Sequence, residues 1–526
     1  MISFNNSMAR RISVLFLSMF LIASCGDDES KSSGNSTVPD EVDLATSFYY
    51  QIDLTDRSDD TFKVRMYVDN LSDDNKVYQF PATVPGVYDI FDIGRFVVSF
   101  KAFDEKGTEL GATNISTNQW ELSNPAATRI LEFEVKETFD TPVSEHPLYL
   151  MGGTSIENDH ALLNAFDVLG YPTGLKERDF YLKVDRPAGW KIATSLQKTE
   201  GGLYYADDYD KFVDSPIILG DITVASVLVD GAKINVNTYS EADQISAGQV
   251  LNDVEQVMED ASAFLKGLPV DHYNFIYFFY NGPGAGALEH SYSSVYVLTD
   301  RPYTASFGSG IRDISAHEFF HIVTPLNIHS EIIEDFNFAV PTASRHLWLY
   351  EGVTEWASLM MQYRNGNYTT PGILNEFRFK KNSADGYDQN MSLTEMSLTC
   401  YTQEGGAQFN NVYQKGALVA ALLDIRLLEL SNGERGLREL ILELIDVYGP
   451  NNAFSEENFF EDLVDRTYPE IAEFIDLYIE GTAPLPMEDY FNKIGVDFIP
   501  ETNSLNEMPN KSEQQQFLFD KWKVNL

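Results

Sequence analysis

The sequence is poor in cysteine and in basic residues. Only two cysteines occur among 526 residues, too few to staple a fold of this size, so a disulfide scaffold is excluded. Lys and Arg number 37 against 80 Asp and Glu, and the net charge of -43 repels phosphate backbones. We therefore expect no nucleic-acid partner. Hydrophobic residues make up 44 % of the chain and aromatic residues 13 %, which excludes wholesale disorder.

The sequence also has no stretch long and apolar enough to span a bilayer. The apolar run at 12–23 follows Arg10 and Arg11 and has the length typical of a secretory leader. It ends in Leu21-Ile22-Ala23-Ser24-Cys25, which resembles the lipobox of bacterial lipoproteins. We expect cleavage of residues 1–24 and lipidation of Cys25, which would anchor the protein in the bacterial cell envelope, at the outer membrane, facing the periplasm or the exterior. A cleaved leader with an incidental cysteine is the alternative.

The hydrophobic pattern divides the rest of the chain. Residues 25–44 are small and polar and predict a flexible tether. Apolar residues then alternate with period two over 45–240, as at Phe62, Val64 and Met66, which predicts an antiparallel β domain. A helical period follows, with buried strands near 275–280 and 294–298, so a second domain of α+β type is expected over 241–486. Residues 487–526 are expected to form a C-terminal tail.

The motif His317-Glu318-Phe319-Phe320-His321 lies in a stretch that predicts a helix over 313–323. Because four residues turn a helix by about 400°, His317 and His321 project from one face about one turn apart. Two imidazoles so placed can occupy adjacent positions of a tetrahedral zinc ion. Glu318 lies beside that position and can act as a base toward water. The alternative is two ordinary core or surface histidines.

A third ligand is expected from the next helix. A catalytic zinc takes three protein ligands and leaves one position open, so one more His, Cys, Asp or Glu should follow. The helix predicted over 345–364 carries Glu351 and Glu355, again four residues apart. We expect Glu351 to bind the metal and Glu355 to support a histidine by a hydrogen bond. The alternative, a solvated acid at 351, would lie on an unusually aromatic surface.

These two motifs, His317-Glu-Phe-Phe-His321 and Leu349-Tyr-Glu351-Gly-Val-Thr, together resemble the gluzincin metallopeptidases, and among them the glycyl aminopeptidases of peptidase family M61. The resemblance extends over residues 48–490. It implies a multidomain α+β protein, in which an N-terminal antiparallel β domain precedes a thermolysin-like catalytic domain with a mixed sheet and a mostly helical C-terminal part. Further segments that carry it are Pro85-Gly86-Val87-Tyr88, Gly94-Arg95-Phe96, Trp120, Asp208-Tyr209-Asp210, Val213-Asp-Ser215-Pro216 and Gly286-Ala-Leu-Glu289-His290.

The resemblance also implies two roles at the substrate. Glu289 corresponds to the acid that binds the free α-amine in related aminopeptidases, and a fixed carboxylate there permits only the exopeptidase register. Tyr413, in Tyr413-Gln-Lys-Gly416, corresponds to the tyrosine whose phenol donates a hydrogen bond to the tetrahedral oxyanion. A strand-end glutamate and a structural tyrosine are the alternatives. His290 is left unassigned.

The sequence departs from the family pattern in two places. Many members continue into a C-terminal PDZ domain, and we expect none here because residues 487–526 are too few. A loop around 331–341 is inserted between His321 and Glu351. We expect this loop to shape the cleft, so that it bears on the preference for the first side chain.

The sequence therefore predicts a lipid-anchored aminopeptidase that removes small N-terminal residues, Gly or Ala, from peptides. One catalytic zinc ion would be held by His317, His321 and Glu351. A zinc endopeptidase is the first alternative, and a non-catalytic lipoprotein that binds peptide or glycan is the second. The expected partners are peptide substrates and, through the lipid on Cys25, a membrane. The acidic composition is compatible with calcium sites, but no residues are assigned to them.

Overall fold

The computed structural model of the chain describes residues 38–526, with the exception of Ala285. The predicted leader, the lipobox with Cys25 and most of the predicted tether lie outside the described residues, so what was expected of them stays a prediction. Residues from Asp40 to Leu526 belong to one compact unit. Within the described part of the chain, no helix has the length and apolarity needed to cross a membrane.

The period-two segments form the strands of the N-terminal β domain. In the strand Thr61–Tyr67, Phe62, Val64 and Met66 are buried, and each pairs across the sheet with a buried residue of the strand Ile130–Lys136. Since successive side chains point to opposite faces, this alternation buries one face of the sheet and leaves Lys63 and Arg65 toward solvent.

The β domain contains one larger sheet and two smaller ones. The eight-stranded sheet has the order β14-β15-β12-β1-β2-β8-β4-β5, and the four-stranded sheets have the orders β13-β16-β10-β9 and β11-β3-β7-β6. Neighbours are antiparallel except β1 and β12, which run parallel. The strands are β1 Ser47–Asp53, β2 Thr61–Tyr67, β3 Val77–Gln79, β4 Val97–Phe103, β5 Glu109–Leu110, β6 Ala112–Ser116, β7 Gln119–Leu122, β8 Ile130–Lys136, β9 Ser155–Ile156, β10 His160–Leu163, β11 Tyr171–Pro172, β12 Asp179–Asp185, β13 Lys191–Thr194, β14 Gln197–Lys198, β15 Tyr204–Ala206 and β16 Ile217–Gly220, with helix α1 at Tyr209–Val213.

The second domain begins with a mixed five-stranded sheet in the order β17-β18-β19-β21-β20. The central strand β19 is parallel to both neighbours and almost wholly buried, which explains its run of aromatic residues. The first two strands were expected in the β domain, so the change from one sheet system to the other falls near residue 222 rather than at 240. The edge strand β20 is antiparallel. The bounds are β17 Thr223–Val229, β18 Ala232–Ser240, β19 His272–Tyr280, β20 Gly286–His290 and β21 Ser293–Thr299.

Helices build the remainder of this domain, as predicted. Helix α3 is capped by Thr304, whose side chain accepts the backbone N–H of Phe307, and it ends at Phe320. His321 is therefore the residue that caps its C-terminus. The helices are α2 Ala247–Leu265, α3 Ala305–Phe320, α4 Glu331–Glu334, α5 Thr354–Arg364, α6 Thr370–Ala384, α7 Leu393–Leu398, α8 Gln403–Gln408, α9 Asn411–Leu430, α10 Leu437–Val447, α11 Phe459–Arg466 and α12 Glu470–Tyr478, with a π-helical turn at Trp348–Val353.

The last forty residues pack against the second domain. Helix α13, Met487–Lys493, is followed by a hairpin of β22 Val496–Ile499 and β23 Ser504–Glu507 and by helix α14, Glu513–Trp522. Phe491 and Trp522 are fully buried in the same core as helix α9. The expected tail is thus a structured segment that contributes to the core of the second domain.

The inserted loop around 331–341 contacts the β domain. The backbone N–H of Ala82 donates to the carbonyl of Phe338 at 2.7 Å. The Phe338 ring is buried against Tyr171 and Tyr209, with ring centres 6.3 and 5.1 Å away. The loop therefore connects the two domains through both backbone and side-chain contacts.

Helix α9 crosses the π-helical turn at two glycines. A methyl group built on Gly352 would lie 2.6 Å from the Cα atom of Gly416, and one built on Gly416 would lie 2.8 Å from the Cα atom of Gly352. Both contacts are with backbone, which cannot turn aside as a side chain can. This crossing sets the distance between Glu351 and Tyr413, because each lies within three residues of one of the glycines.

We predict that Gly352→Ala destabilises the protein. The added methyl group cannot be accommodated without separating the two segments, and overpacking of this kind costs about 1–3 kcal/mol. The midpoint of chemical denaturation should therefore fall. Gly310→Ala is the control, because a methyl group there meets nothing within 4 Å in helix α3 and should stabilise by about 0.5–1 kcal/mol. An unchanged midpoint for Gly352→Ala would contradict the close crossing.

Candidate metal centre and active site

Three predicted ligand residues converge in the second domain. The Nε2 atoms of His317 and His321 lie 3.5 and 3.6 Å from Oε2 of Glu351. His317 is 8 % exposed and the other two are each 2 % exposed. Oε2 of Glu351 has no hydrogen-bond partner among the described residues. His317 and His321 lie four residues apart at the end of helix α3, and Glu351 lies in the π-helical turn. Together these two segments bring one atom from each of the three side chains close to a common point.

The outer nitrogen of each imidazole has an acceptor. Nδ1 of His317 lies 2.6 Å from Oε2 of Glu355, and Nδ1 of His321 lies 2.9 Å from the carbonyl oxygen of Thr324. When Nδ1 of each ring donates to its acceptor, the lone pair of Nε2 faces Glu351. Two lone pairs and an unpartnered carboxylate oxygen are the donor set that fits a zinc ion.

Glu355 is held ionised between two basic groups. One oxygen accepts from His317, and the other accepts a short hydrogen bond from Nζ of Lys380 in helix α6. Burial alone would raise the pKa of Glu355, but the ammonium of Lys380 and the contact with His317 hold that pKa well below its ordinary value. A fixed negative charge therefore lies next to His317, on the side of Nδ1.

Glu318 and Glu289 lie on the same side of the centre. One oxygen of each and a ring nitrogen of His321 are all within 4.8 Å of one another. Burial, together with the neighbouring carboxylates of Glu289 and Glu351, raises the pKa of Glu318. A divalent cation nearby would oppose that rise and favour the carboxylate, the form in which Glu318 can accept a proton.

Glu289 lies against a loop of the β domain. A methyl group built on Gly86, whose φ is +80°, would lie 2.6 Å from Oε1 of Glu289. Only glycine fits there, because the left-handed backbone and the close approach both exclude a side chain. The carboxylate is thus confined between Gly86 and the metal centre.

Tyr413 completes this side of the site. Its ring centre lies 5.6 Å from that of His317. Burial and the carboxylates of Glu351 and Glu289 raise the pKa of its phenol well above the ordinary value. The hydroxyl therefore keeps its proton at neutral pH and can act as a hydrogen-bond donor.

Three residues at the site were not predicted as site residues from the sequence. Tyr88 lies beside Glu351 and was noted only as part of a family-like segment. Lys380 gives no local signal, because it lies in an ordinary helix 25 residues from its partner Glu355. Thr324 acts through its carbonyl oxygen, which no side-chain motif reveals. The pattern Pro85-Gly86-Val-Tyr88, with its turn residues outside any strand, is the signal that could have pointed to Tyr88.

A cavity of about 380 Å³ adjoins Glu289. The inserted loop contributes part of its wall through Ile333, Phe336 and Phe338. His290 also lines it and is 3 % exposed, with Nδ1 2.9 Å from Oδ1 of Asp214. The expectation that the loop borders the cleft therefore agrees with the geometry, and the residue left unassigned has a supporting carboxylate.

A second carboxylate cluster lies in the β domain. Oxygens of Glu137, Asp140 and Glu157 are within 4.8 Å of one another. Burial and the contact with Asp140 raise the pKa of Glu137 to about 9. A proton retained by Glu137 reduces the negative charge there at neutral pH, so the cluster does not require a cation. The calcium expectation stays a prediction without a site.

Two histidines one helical turn apart, with a glutamate from the following helix, define a metallopeptidase of the gluzincin type. Family models match two parts of the chain: the Peptidase M61 N-terminal domain over 49–221, and M61 glycyl aminopeptidase over 310–419. The second match contains His317, Glu318, His321, Glu351, Glu355 and Tyr413. The chain therefore belongs to the M61 glycyl aminopeptidase family, and the alternative of a non-catalytic binding lipoprotein is set aside.

Solved structures share the fold. An aminopeptidase N family protein from Idiomarina loihiensis is 21 % identical with a TM-score of 0.75, over 89 % of this chain and 82 % of that one. An M1 zinc metallopeptidase from Deinococcus radiodurans is 11 % identical with a TM-score of 0.51, over 84 % of this chain and 95 % of that one. A mutant of the same enzyme bound to a Tyr-Ser-Ala substrate has a TM-score of 0.52, with the same identity and coverage. No curated protein matches the sequence significantly.

We predict that Glu355→Gln weakens metal binding. The amide leaves His317 without its charged partner and leaves Lys380 buried without a counter-charge, and loss of such a partner typically costs about 10–100-fold in metal affinity. Competition with a chelator for Zn²⁺ measures this directly. Glu259→Gln, at an exposed position of helix α2, should leave the affinity unchanged. Equal affinities for the two variants would refute the supporting role of Glu355.

Proposed function

We propose that this chain is a zinc aminopeptidase that removes single N-terminal residues from peptides. The observation that supports it most is the convergence of two imidazole Nε2 atoms on Oε2 of Glu351, with Glu318, Tyr413 and Glu289 grouped beside them. His317, His321 and Glu351 would hold the metal. A zinc ion bound there would supply Lewis acidity, which polarises a peptide carbonyl and acidifies water.

Glu318 would transfer a proton from the attacking water to the leaving amine. Its carboxylate would accept a proton from the attacking water as the water adds to the first peptide carbonyl. The same carboxyl would then give that proton to the nitrogen of the leaving amine, which allows the C–N bond to break. Because Glu318 is 7 % exposed, little bulk water competes for this transfer.

Glu289 and Tyr413 would bind the two ends of the first residue. The carboxylate of Glu289 would pair with the α-ammonium and so fix the exopeptidase register. The hydroxyl of Tyr413 would donate a hydrogen bond to the carbonyl oxygen as it gains negative charge. Glu289 lies close to Glu318 and His321, so an ammonium at Glu289 leaves room for only one residue before the scissile bond.

The side-chain preference and the location of the protein are also part of the proposal. The family resemblance favours Gly or Ala at the first position, whereas a cavity of about 380 Å³ beside Glu289 has room for larger side chains. Relative rates on a series of N-terminal residues distinguish the two. A lipid on Cys25 would hold the enzyme at the cell envelope, where its substrates would be peptides.

We predict that Glu318→Gln abolishes most peptide hydrolysis while zinc binding is retained. The amide keeps the shape of the side chain but cannot accept the proton, and loss of general-base catalysis costs about 10²–10⁴ in kcat. Zinc content by elemental analysis and kcat on an Ala-containing dipeptide are the measurements. Full activity in this variant would refute the assigned base.

A blocked amine distinguishes the aminopeptidase from the endopeptidase alternative. We predict that N-acetylation of a peptide suppresses its cleavage, because the acetyl group removes the charge that Glu289 would bind. Glu289→Gln should raise KM for the free peptide on the order of tenfold or more, since it removes a charge-assisted contact. Equal rates on free and acetylated peptides would establish the endopeptidase instead.

A further inference from the structure

One side chain of the β domain lines the cavity beside Glu289. Tyr88 lies in the loop between β3 and β4 and packs against the core of the catalytic domain. Its ring centre is 5.3 Å from that of Phe409, which in turn is 5.6 Å from that of Tyr413 in an edge-to-face arrangement. A single phenylalanine thus contacts both tyrosine rings.

The backbone at Tyr88 adopts a conformation that tyrosine rarely takes. Its φ is +48°, in the left-handed region, and Gly86 two residues earlier has a φ of +80°. A bulky residue persists in that region only where its surroundings over-determine it, and such strain clusters at functional sites. Here the loop places Gly86 against Glu289 and the Tyr88 ring against Phe409.

The hydroxyl of Tyr88 experiences the same surroundings as that of Tyr413. Burial raises the pKa of both phenols, and the carboxylates of Glu351 and Glu289 raise it further in each case. Tyr88 and Glu289 both line the same cavity. Tyr88 therefore lies beside the amine site proposed at Glu289 and, through Phe409, beside Tyr413.

That position is where the first residue of a substrate would lie. If the α-ammonium is at Glu289, the first residue of the substrate lies against the cavity wall to which Tyr88 contributes. A donor already aimed at negative charge needs no reorganisation when the carbonyl oxygen becomes anionic. Tyr88 thus meets the same requirements as Tyr413 but comes from the other domain.

We propose that Tyr88 is a catalytic residue contributed by the β domain, whose hydroxyl donates a hydrogen bond to the carbonyl oxygen of the first peptide bond alongside Tyr413. The hydroxyl keeps its proton throughout, so no group is transferred to or from it. This inference rests on the proposed aminopeptidase function.

The variant Tyr88→Phe tests it, because the phenyl ring retains the packing on Phe409. We expect kcat on a free dipeptide to fall on the order of 10–100-fold, while KM changes by less than about threefold. Zinc affinity and the thermal midpoint should match those of the unmodified protein. Binding of a phosphinic dipeptide analogue, which mimics the tetrahedral state, should weaken by the same factor as kcat/KM.

The control is Tyr292→Phe, at a residue 45 % exposed on the turn after β20, which should behave as the unmodified protein. A kcat for Tyr88→Phe within about twofold of the unmodified protein would overturn the proposal. So would a loss of zinc affinity that accounts for the loss of activity, because Tyr88 would then only position Glu351. If the unmodified protein releases no N-terminal residue, the proposed function fails first, before any variant is compared.

Discussion

The site is built on a contact between two backbones. Gly352 and Gly416 approach so closely that neither position has room for a methyl group. One segment carries Glu351 and the other carries Tyr413, so the ligand and the phenol are positioned by main chain rather than by flexible side chains. The π-helical turn is the local deformation that brings Glu351 toward the histidines, and Thr354, which follows it, donates to the carbonyl of Tyr350 at 2.6 Å. The close packing of the two backbones therefore determines both the stability of this crossing and the positions of Glu351 and Tyr413.

Electrostatic balance explains why the centre suits a cation. Four glutamates, at 289, 318, 351 and 355, lie within one region of low exposure. Lys380 pairs with Glu355, and Nε2 of each histidine faces Glu351. Such an arrangement of acceptors is costly by itself, since each carboxylate raises the energy of the others. A divalent ion bound among these carboxylates would replace their mutual repulsion by attraction to the ion. The negative charge of Glu355, next to Nδ1 of His317, would also make Nε2 of His317 a stronger ligand.

The period of a helix was enough to predict that His317 and His321 lie on one face, and the structure brings both close to Glu351. That these three residues bind a metal stays a prediction. The boundary near 222 was missed for a physical reason: β17 and β18 form an antiparallel pair with the same alternation as the strands before them, and only their pairing with β19 assigns them to the catalytic sheet. Tyr88 and Lys380 were not predicted as site residues, because each lies far in sequence from the residues it contacts and only folding brings them together.

The inserted loop borders the cavity beside Glu289, and it also holds the two domains together. Lys176 of the β domain donates to the carbonyl of Phe336 at 3.3 Å and pairs with Asp335, next to the Phe338 contacts. The same segment thus borders the cavity beside Glu289 and ties the domains that supply Tyr88 and Tyr413 to one another. Variation in its length would change two properties at once, the shape of the cleft and the alignment of its two halves. Substrate preference and domain docking are in that sense encoded by one stretch of chain.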